Sequence, residues 1–385
     1  MIRSTHSARQ QRGPDRGEGN GLADHLRSLI VGQDDAISAV VPYVEMYAAG
    51  LSPEGRPAGV FLLLGPTGTG KTRTVEALAQ VLHGSERNVL RIDCGEFQLD
   101  HEVAKLIGAP PGYLGHRETT PMLNQQRLNA VASQECGLSV VLFDEVEKAA
   151  PSLGRLLLGV LDKATLKLGD NTSVDFQNSL IFLTSNLGAK EMLSELQNRF
   201  GFGAMVASDP EAMMRKLENV ALAAVRKRFS PEFVNRIDCT VTYRPLDRDS
   251  LEEILDLQIE SLESHIRRRL AARAFSIELE PSARSLILEA GTSPQYGARE
   301  LKRVIHRRLV QPLASMMLKG YVEPGSVVRF SADPASDALR FETMPAERVR
   351  TARRQKALLE AAKAELAAIR KAAQADRLAH RNEQV

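Results

Sequence analysis

The sequence contains little cysteine: Cys94, Cys136 and Cys239 are its three thiols, and they are far apart. No two of them form a CxxC pair, which argues against a zinc site or a disulfide framework and favours a reducing compartment. No apolar run approaches the ~20 residues that cross a bilayer, and the N-terminus lacks the apolar core of a signal peptide. We therefore expect a cytoplasmic protein without a membrane partner.

A strong charge of either sign is also absent. The sequence has 50 Lys and Arg against 48 Asp and Glu, a net charge of +2. This balance gives no argument for nucleic acid or an anionic membrane as a partner. With 43% hydrophobic and 25% charged residues, the composition is that of an ordinary globular protein, and 385 residues suit two or three domains.

Residues 65–72 read GPTGTGKT, the G-x-x-x-x-G-K-[ST] phosphate-binding pattern. The loop follows the apolar run Val60–Leu64 and precedes the helix-forming stretch Arg73–Leu82, which is its required context. The glycines let backbone N–H groups surround a polyphosphate, Lys71 reaches the β- and γ-phosphates, and the Thr72 hydroxyl ligates Mg²⁺. The alternative, a glycine-rich turn that binds nothing, does not explain the Lys-Thr pair. The expected phosphate contacts are Gly65, Pro66, Thr67, Gly68, Thr69, Gly70, Lys71 and Thr72.

Short β-rich runs alternate with helical stretches over residues 22–245, which predicts an α/β domain with a parallel sheet between layers of helices. Nucleotide then binds at the carboxyl ends of the strands. The predicted strands are Val60–Leu64, Val89–Ile92, Val140–Phe143, Leu180–Thr184 and Thr240–Tyr243.

The sequence divides into four segments. Residues 1–21 have almost no apolar side chains and are expected to be disordered. The large α/β domain covers 22–245, and a smaller α-rich domain with a short sheet covers 246–343, with helices over 249–272, 282–290 and 297–319. Residues 344–385 are Ala-rich and basic. A solvated basic helix is favoured there over a short coiled coil.

Acidic side chains end the strand Val140–Phe143. Asp144 is placed to complete the Mg²⁺ shell, and the adjacent Glu145 is placed to activate the attacking water. Asn186 follows another predicted strand, where it either holds that water or serves as a turn residue.

Several motifs in a fixed order resemble the Clp family of AAA+ protein unfoldases, specifically the second ATPase module of ClpA, ClpB and ClpC. The resemblance covers residues 26–343. It rests on the phosphate loop and on VGQD (31–34), KLIGAPPGYLG (105–115), DEVEK (144–148), VDF (174–176), TSNLG (184–188), PEFVNRID (231–238) and YGARELKR (296–303).

The resemblance implies roles for individual residues. Ile30 and Val31 would contact the adenine of ATP, and Asn186 would be sensor 1. Arg299 would be sensor 2, which responds to the γ-phosphate. Arg236 would be the arginine finger of a neighbouring subunit's site, so the chain would form a homo-hexameric ring.

The segment Gly112-Tyr113-Leu114-Gly115 matches the pore loop of the family. An aromatic ring grips varied polypeptides without requiring a particular sequence, so Tyr113 is expected to contact polypeptide substrates in a channel. The alternative is that Tyr113 packs against its own loop.

The chain also departs from the family pattern. His116–Thr120 replaces an acidic, glycine-rich continuation of the pore loop, Ser230 replaces an arginine, and one ATPase module is present instead of two. Phe200-Gly201-Phe202 lies where some members dock a ClpP-like peptidase, but its first residue is aromatic, and packing of an apolar loop is favoured over docking.

Three functions are weighed. The leading hypothesis is an ATP-driven protein unfoldase or remodelling motor. A nucleic-acid motor is suggested by the basic stretches Arg267–Arg269 and Arg307-Arg308, but acids lie near both, and the tail has no aromatic residues for base stacking. A non-enzymatic adaptor is the third, and the complete set of catalytic residue types argues against it.

Overall fold

The computed structural model describes residues 21–108, 121–200, 210–293, 296–333 and 335–345. Several predictions lie outside these residues: the disordered segment up to residue 20, the pore loop Gly112–Gly115, Gly201 and Phe202 of the docking tripeptide, and the tail beyond 345. The described residues form two compact units. The first contains the residues up to Ile254 and Thr292–Glu300, and the second contains Leu255–Gly291 and the residues from Leu301 onward.

The first unit contains a five-stranded sheet in which every pairing is parallel. Its strands are β1 (Gly59–Leu64), β2 (Leu90–Asp93), β3 (Ser139–Asp144), β6 (Ser179–Ser185) and β7 (Cys239–Thr242). Their order in the sheet is β2-β3-β6-β1-β7, so β1, which leads into the phosphate loop, lies between β6 and β7. The predicted α/β fold class with a parallel sheet is confirmed.

Both faces of this sheet are buried. Val60, Leu62 and Leu64 of β1 contribute to one hydrophobic core, and Phe61 and Leu63 contribute to the other. Residues along a strand point alternately to opposite faces, so a continuous apolar run such as this one requires helices on both sides. The sheet is therefore a rigid middle layer, and its carboxyl edge presents the polar residues that follow each strand.

Among the residues that the structure describes, nine α-helices lie entirely in the first unit. They are α1 (Leu22–Arg27), α2 (Asp34–Ala48), α3 (Lys71–His83), α4 (Ala104–Ile107), α5 (Gln125–Ala130), α6 (Pro151–Lys163), α7 (Ala189–Phe200), α8 (Pro210–Arg228) and α9 (Pro231–Val234). An antiparallel hairpin of β4 (Thr165–Lys167) and β5 (Ser173–Asp175) follows α6 and has no counterpart in the sequence prediction.

The second unit is mainly helical and has a three-stranded sheet. Its elements are α10 (Arg248–Leu270), β8 (Ser276–Leu279), α11 (Pro281–Gly291), α12 (Ala298–Ile305), α13 (Gln311–Leu318), β9 (Val327–Ala332) and β10 (Leu339–Met344), although α10 and α12 begin in the first unit. Strand β9 lies in the middle, parallel to β8 and antiparallel to β10. The sequence predicts a single α-helix over 297–319. This prediction is wrong in one respect, because the π-helical segment His306–Val310 separates α12 from α13.

No helix in the described ranges has both the length and the apolar character needed to cross a membrane.

Candidate functional site

The phosphate loop connects β1 to α3 at the carboxyl edge of the large sheet. Three of its glycines, Gly65, Gly68 and Gly70, have positive φ angles of 144°, 79° and 108°. Gly70 is the N-cap of the 13-residue helix α3, so the positive end of the helix dipole lies at the end of the loop. This geometry presents backbone N–H groups and a helix N-terminus to an anion.

Lys71 is buried, and its ammonium group is held inside the loop. The Nζ atom donates to Gly65 O at 2.7 Å, to Pro66 O at 2.8 Å and to Asn186 Oδ1 at 3.0 Å. The pKa of Lys71 is lowered to about 8, mainly by burial; the negative charge of Glu147 partly offsets this effect, and the positive charge of Arg299 adds to it. An anionic ligand next to this amine would favour its charged form.

The acidic pair lies on the strand next to β6. Asp144, the last residue of β3, accepts a hydrogen bond from the buried Thr184 hydroxyl and forms an ion pair with Arg91 of β2. Glu145, the next residue, has a left-handed backbone with φ 57°, and its N–H donates to Thr184 Oγ1 at 2.9 Å. Thr184 therefore fixes both acids from the neighbouring strand.

The Glu145 carboxylate lies near the predicted water-holding residue. Asn186 Nδ2 is 3.3 Å from Glu145 Oε1, while Lys148 forms an ion pair with Oε2. Because Asn186 also accepts from Lys71, one amide side chain joins the lysine of the phosphate loop to the acid at the end of β3.

Glu147 is a second carboxylate at this edge. Its Oε1 accepts from the backbone N–H of Asn186 at 3.0 Å, and its Oε2 is buried without a hydrogen-bond partner among the described residues. The Arg228 guanidinium donates to Glu147 O at 2.8 Å, which anchors the backbone of this segment. Glu147 thus positions Asn186 and adds negative potential near Lys71.

Ile30 and Val31 are buried at the turn between α1 and α2. The adjacent Gln33 is buried as well, and its Nε2 donates to Thr69 O at 3.1 Å and to Arg244 O at 3.0 Å. Its Oε1 accepts from the backbone N–H of Arg244 at 3.3 Å. Gln33 therefore ties the segment predicted to bind adenine to the phosphate loop.

The segment around Arg299 contacts the phosphate loop through its backbone. The N–H of Ala298 donates to Gly68 O at 3.1 Å. A Cβ atom added at Gly68 would lie 2.0 Å from Tyr296 O, so only glycine allows this approach. The contact places the start of α12, and Arg299 with it, beside the loop.

Arg236 lies apart from this cluster in the described contacts. Its NH1 pairs with Asp162 Oδ1 of α6 at 2.9 Å, and no described contact joins it to Lys71, Glu145 or Asn186. The structure thus brings together the phosphate loop, Asp144, Glu145, Asn186 and the Arg299 segment of one chain, and leaves out Arg236.

A cleft of about 390 Å³ opens beside the loop. Pro66 and Thr67 line it on one side, Asn186 lines it at the strand end, and α7 closes it with Ala189, Lys190, Leu193 and Ser194.

The residues fit a nucleotide with a divalent cation. The loop offers N–H groups and a buried lysine for phosphates, and Asp144 and Thr72 offer the oxygen ligands that Mg²⁺ prefers. No described residue hydrogen-bonds the Thr72 hydroxyl, whereas Arg91 and Thr184 already engage both Asp144 oxygens. Asp144 therefore contacts Mg²⁺ directly only if Arg91 moves, and otherwise acts through a bridging water molecule.

Sequence reasoning missed four residues that shape the site: Gln33, Arg91, Glu147 and Thr184. Three of them lie inside motifs already noted, namely VGQD, DEVEK and TSNLG. A buried polar residue within a motif is the signal that identifies such residues, although its partner is visible only in three dimensions.

Two family models match consecutive parts of the chain. Residues 56–240 match the AAA domain (Cdc48 subfamily), and residues 246–330 match the C-terminal, D2-small domain of ClpB protein. Together the two matches span the phosphate loop, the acidic pair and Arg299.

Curated relatives are also ClpB proteins. The chain is 39% identical over 324 residues to a chaperone protein ClpB from Meiothermus ruber, which covers 84% of this chain and 35% of the relative. It is 40% identical over 321 residues to ClpB from Rhizobium meliloti (strain 1021), and this match covers 83% of this chain and 34% of the relative. The chain thus spans about a third of the length of these relatives.

A solved structure with the same fold is a closed-state cryo-EM reconstruction of Hsp104 with ATPγS and FITC-casein. Its TM-score is 0.69 at 30% sequence identity, and the match covers 84% of this chain and 51% of the other.

Proposed function

We propose that this chain, which belongs to the Clp family of AAA+ ATPases, is an ATP-driven motor that remodels polypeptides. The observation that carries the proposal is the joining of Lys71, Asn186 and Glu145 by hydrogen bonds at the end of the phosphate loop. A lysine for phosphate, an amide and a carboxylate within one network are the groups that nucleotide hydrolysis needs.

ATP with Mg²⁺ is the proposed ligand, held by the loop, Thr72 and Asp144, with adenine near Ile30 and Val31. Mg²⁺ neutralises developing charge on the phosphates when it is bound. Glu145 accepts a proton from the attacking water, and Asn186 orients that water beside it. Lys71 exchanges its contacts with the Gly65 and Pro66 carbonyls for phosphate oxygens.

Two arginines complete the proposed mechanism. Arg299 reports the γ-phosphate to α12, since the residue before it, Ala298, already donates its N–H to Gly68 O. Arg236 acts in the site of the next subunit, which is supported by its separation from the chain's own cluster. An arginine finger is worth about 10³–10⁵ in kcat in related phosphoryl transfer. A finger in trans requires an oligomer, and the family pattern suggests a hexameric ring.

Polypeptide is the proposed substrate. Support comes from the relatives, which are named chaperones, and from the Hsp104 structure, which was determined with casein. Neither alternative, a nucleic-acid motor or an adaptor, has comparable support. Tyr113 would hold the substrate. Docking of a ClpP-like peptidase through Phe200-Gly201-Phe202 stays a prediction. The cytoplasmic location also stays a prediction.

The test is Glu145→Gln in the full chain. The variant should bind ATP with wild-type affinity, because the loop is unchanged, and release phosphate at least about 100-fold more slowly. Binding is measured by calorimetry and turnover by phosphate release, with Glu54→Gln, an exposed glutamate in a loop of the first unit, as control. Wild-type turnover in Glu145→Gln would refute the proposed role of this carboxylate.

A further inference from the structure

We propose that Asp162 is a positioning residue for Arg236: it holds the guanidinium group in the orientation needed to enter the site of the adjoining subunit. The inference rests on the proposed function of Arg236 in trans. It concerns how the Arg236 guanidinium group is oriented before the subunits assemble.

The contact is an ion pair between two partly exposed side chains. Arg236 NH1 lies 2.9 Å from Asp162 Oδ1, and the two side chains are 36% and 34% exposed. The Nε atom of Arg236 is buried without a hydrogen-bond partner among the described residues. The stem of the side chain is thus enclosed, and Asp162 makes the one described polar contact that sets the direction of its end.

The backbone that carries Arg236 is held on both sides. On one side, its N–H donates to the carbonyl of Phe233, a buried residue whose ring stacks on Phe229 at 5.0 Å. On the other side, the N–H of Asp238 donates to Val60 O at 2.9 Å, and its carboxylate accepts from Val60 N at 2.8 Å. Since the backbone is fixed, the remaining freedom is in the side-chain torsions.

Asp162 occupies a place that its own helix does not favour. It lies in the last turn of α6, where the negative end of the helix dipole repels a carboxylate. The helix is held in the core by Leu157, Val160 and Leu161, which makes Asp162 a rigid anchor. A carboxylate at this end of a helix gains its stabilisation from a cation outside the helix, and Arg236 is that cation.

The pairing leaves the finger able to act. Asp162 engages NH1, and the described residues give NH2 no partner, so one edge of the guanidinium remains for an anion. An ion pair whose side chains are about one-third exposed contributes little to stability, because solvent screens it. Removal of Asp162 is therefore expected to affect the aim of the finger and not the fold.

The test uses mixed rings of two coexpressed full-length chains with different tags, purified over both tags. Glu145→Gln chains keep the finger and cannot hydrolyse ATP, whereas Arg236→Ala chains keep the hydrolytic residues and lack the finger. Only a site of an Arg236→Ala chain that faces a Glu145→Gln neighbour is complete. Phosphate release above that of either ring alone therefore measures fingers supplied in trans.

Asp162→Asn is then added to one chain at a time. On the Glu145→Gln chain, which donates the finger, it should lower the recovered kcat by about tenfold, since small displacements of a catalytic group cost that much or more. The KM for ATP should change by less than about twofold. On the Arg236→Ala chain, which donates nothing, the same substitution should leave the recovered rate within about twofold.

The difference between the two chains distinguishes an effect on the orientation of Arg236 from an effect on folding, because a general structural defect would lower the rate whichever chain carried the substitution. Asp162→Glu on the donor chain should restore most of the rate, and Glu278→Gln, which removes a similar ion pair with Arg329, is the control. Equal losses on both chains, or undiminished recovery with Asp162→Asn on the donor, would overturn the inference while leaving Arg236 in trans. No recovery in the parent mixture would overturn the trans finger itself, and the inference with it.

Discussion

The buried hydroxyl of Thr184 donates a hydrogen bond to Asp144 and at the same time accepts one from the backbone N–H of Glu145. The contact follows from the sheet, in which Phe143 of β3 pairs with Leu183 of β6, so the residues after this pair lie side by side. Glu145 needs such support because its left-handed backbone is costly for a residue with a Cβ atom. A single hydroxyl thereby fixes the position of both acids.

Thr184→Val should slow ATP hydrolysis and keep ATP binding. Valine has the same shape but leaves a carboxylate oxygen and a backbone N–H without their partner, which costs about 2 kcal/mol and corresponds to about 30-fold in rate if both acids shift. The measurements are phosphate release and the affinity for a fluorescent ATP analogue. Thr184→Ser, which keeps the hydroxyl, is the matched control, and equal activity of the valine and serine variants would contradict the assignment.

Gly68→Ala should destabilise the nucleotide-free protein more than Gly84→Ala does. Both glycines have similar φ angles, 79° and 71°, so an alanine pays the same backbone cost of about 1–2 kcal/mol at each. Only at Gly68 would the added Cβ also meet the backbone, 2.0 Å from Tyr296 O, whereas nothing lies within 4 Å at Gly84. Urea unfolding measures the difference, and equal losses of stability would show that the Gly68–Tyr296 contact does not matter.

The five strands of the large sheet are predictable because each is a short β-rich run, and three of them, β1, β3 and β6, are almost continuously apolar and fully buried. Their order is not, since every run is compatible with every neighbour. The β4–β5 hairpin escapes prediction because each of its strands has three residues and buries a single apolar side chain, Leu166 or Val174. Patterns of this length do not rise above chance.

The candidate site also has residues that the sequence predicts and residues that it does not. Lys71, Asp144 and Glu145 are predictable because each belongs to a recognisable local pattern: Lys71 begins the helix after the glycine-rich loop, and the two acids lie at the end of a buried strand. Gln33 and Thr184 are not, since their roles depend on hydrogen bonds to residues 211 and 40 positions away. Such contacts exist only after the sheet has formed, and a sequence motif marks one partner at most.

Tyr113→Ala should retain basal ATP hydrolysis and lose unfolding of a tagged model protein. Removal of the ring leaves the nucleotide residues intact, but it deletes the apolar surface that would hold a moving polypeptide. Aromatic contacts are worth about 0.5–1.5 kcal/mol beyond their buried area, so unfolding should fall by about tenfold or more. Tyr113→Phe keeps the ring and should keep the activity. Undiminished unfolding by the alanine variant would exclude Tyr113 as the gripping residue.

His83, in the last turn of α3, predicts a specific loss of stability in acid. Its Nδ1 lies 3.2 Å from Ser133 Oγ, and its Nε2 is buried without a hydrogen-bond partner among the described residues. Burial lowers the pKa of His83 below its ordinary value. Between the lowered pKa of the folded state and the ordinary value of about 6.5, the unfolded chain binds a proton that the folded chain does not. Unfolding therefore takes up protons there, and stability decreases as the pH falls.

His83→Gln should remove this part of the pH dependence, because glutamine keeps hydrogen-bonding capacity and does not titrate. We expect the wild type to lose more stability than His83→Gln when the pH is lowered from 7 to 5, because only the wild type must protonate a buried imidazole whose pKa is lowered in the folded state. Urea unfolding across this range measures the difference, with the exposed His25→Gln as a control for the loss of a histidine. Parallel pH profiles of wild type and His83→Gln would mean that the imidazole becomes charged as easily inside the protein as in the unfolded chain.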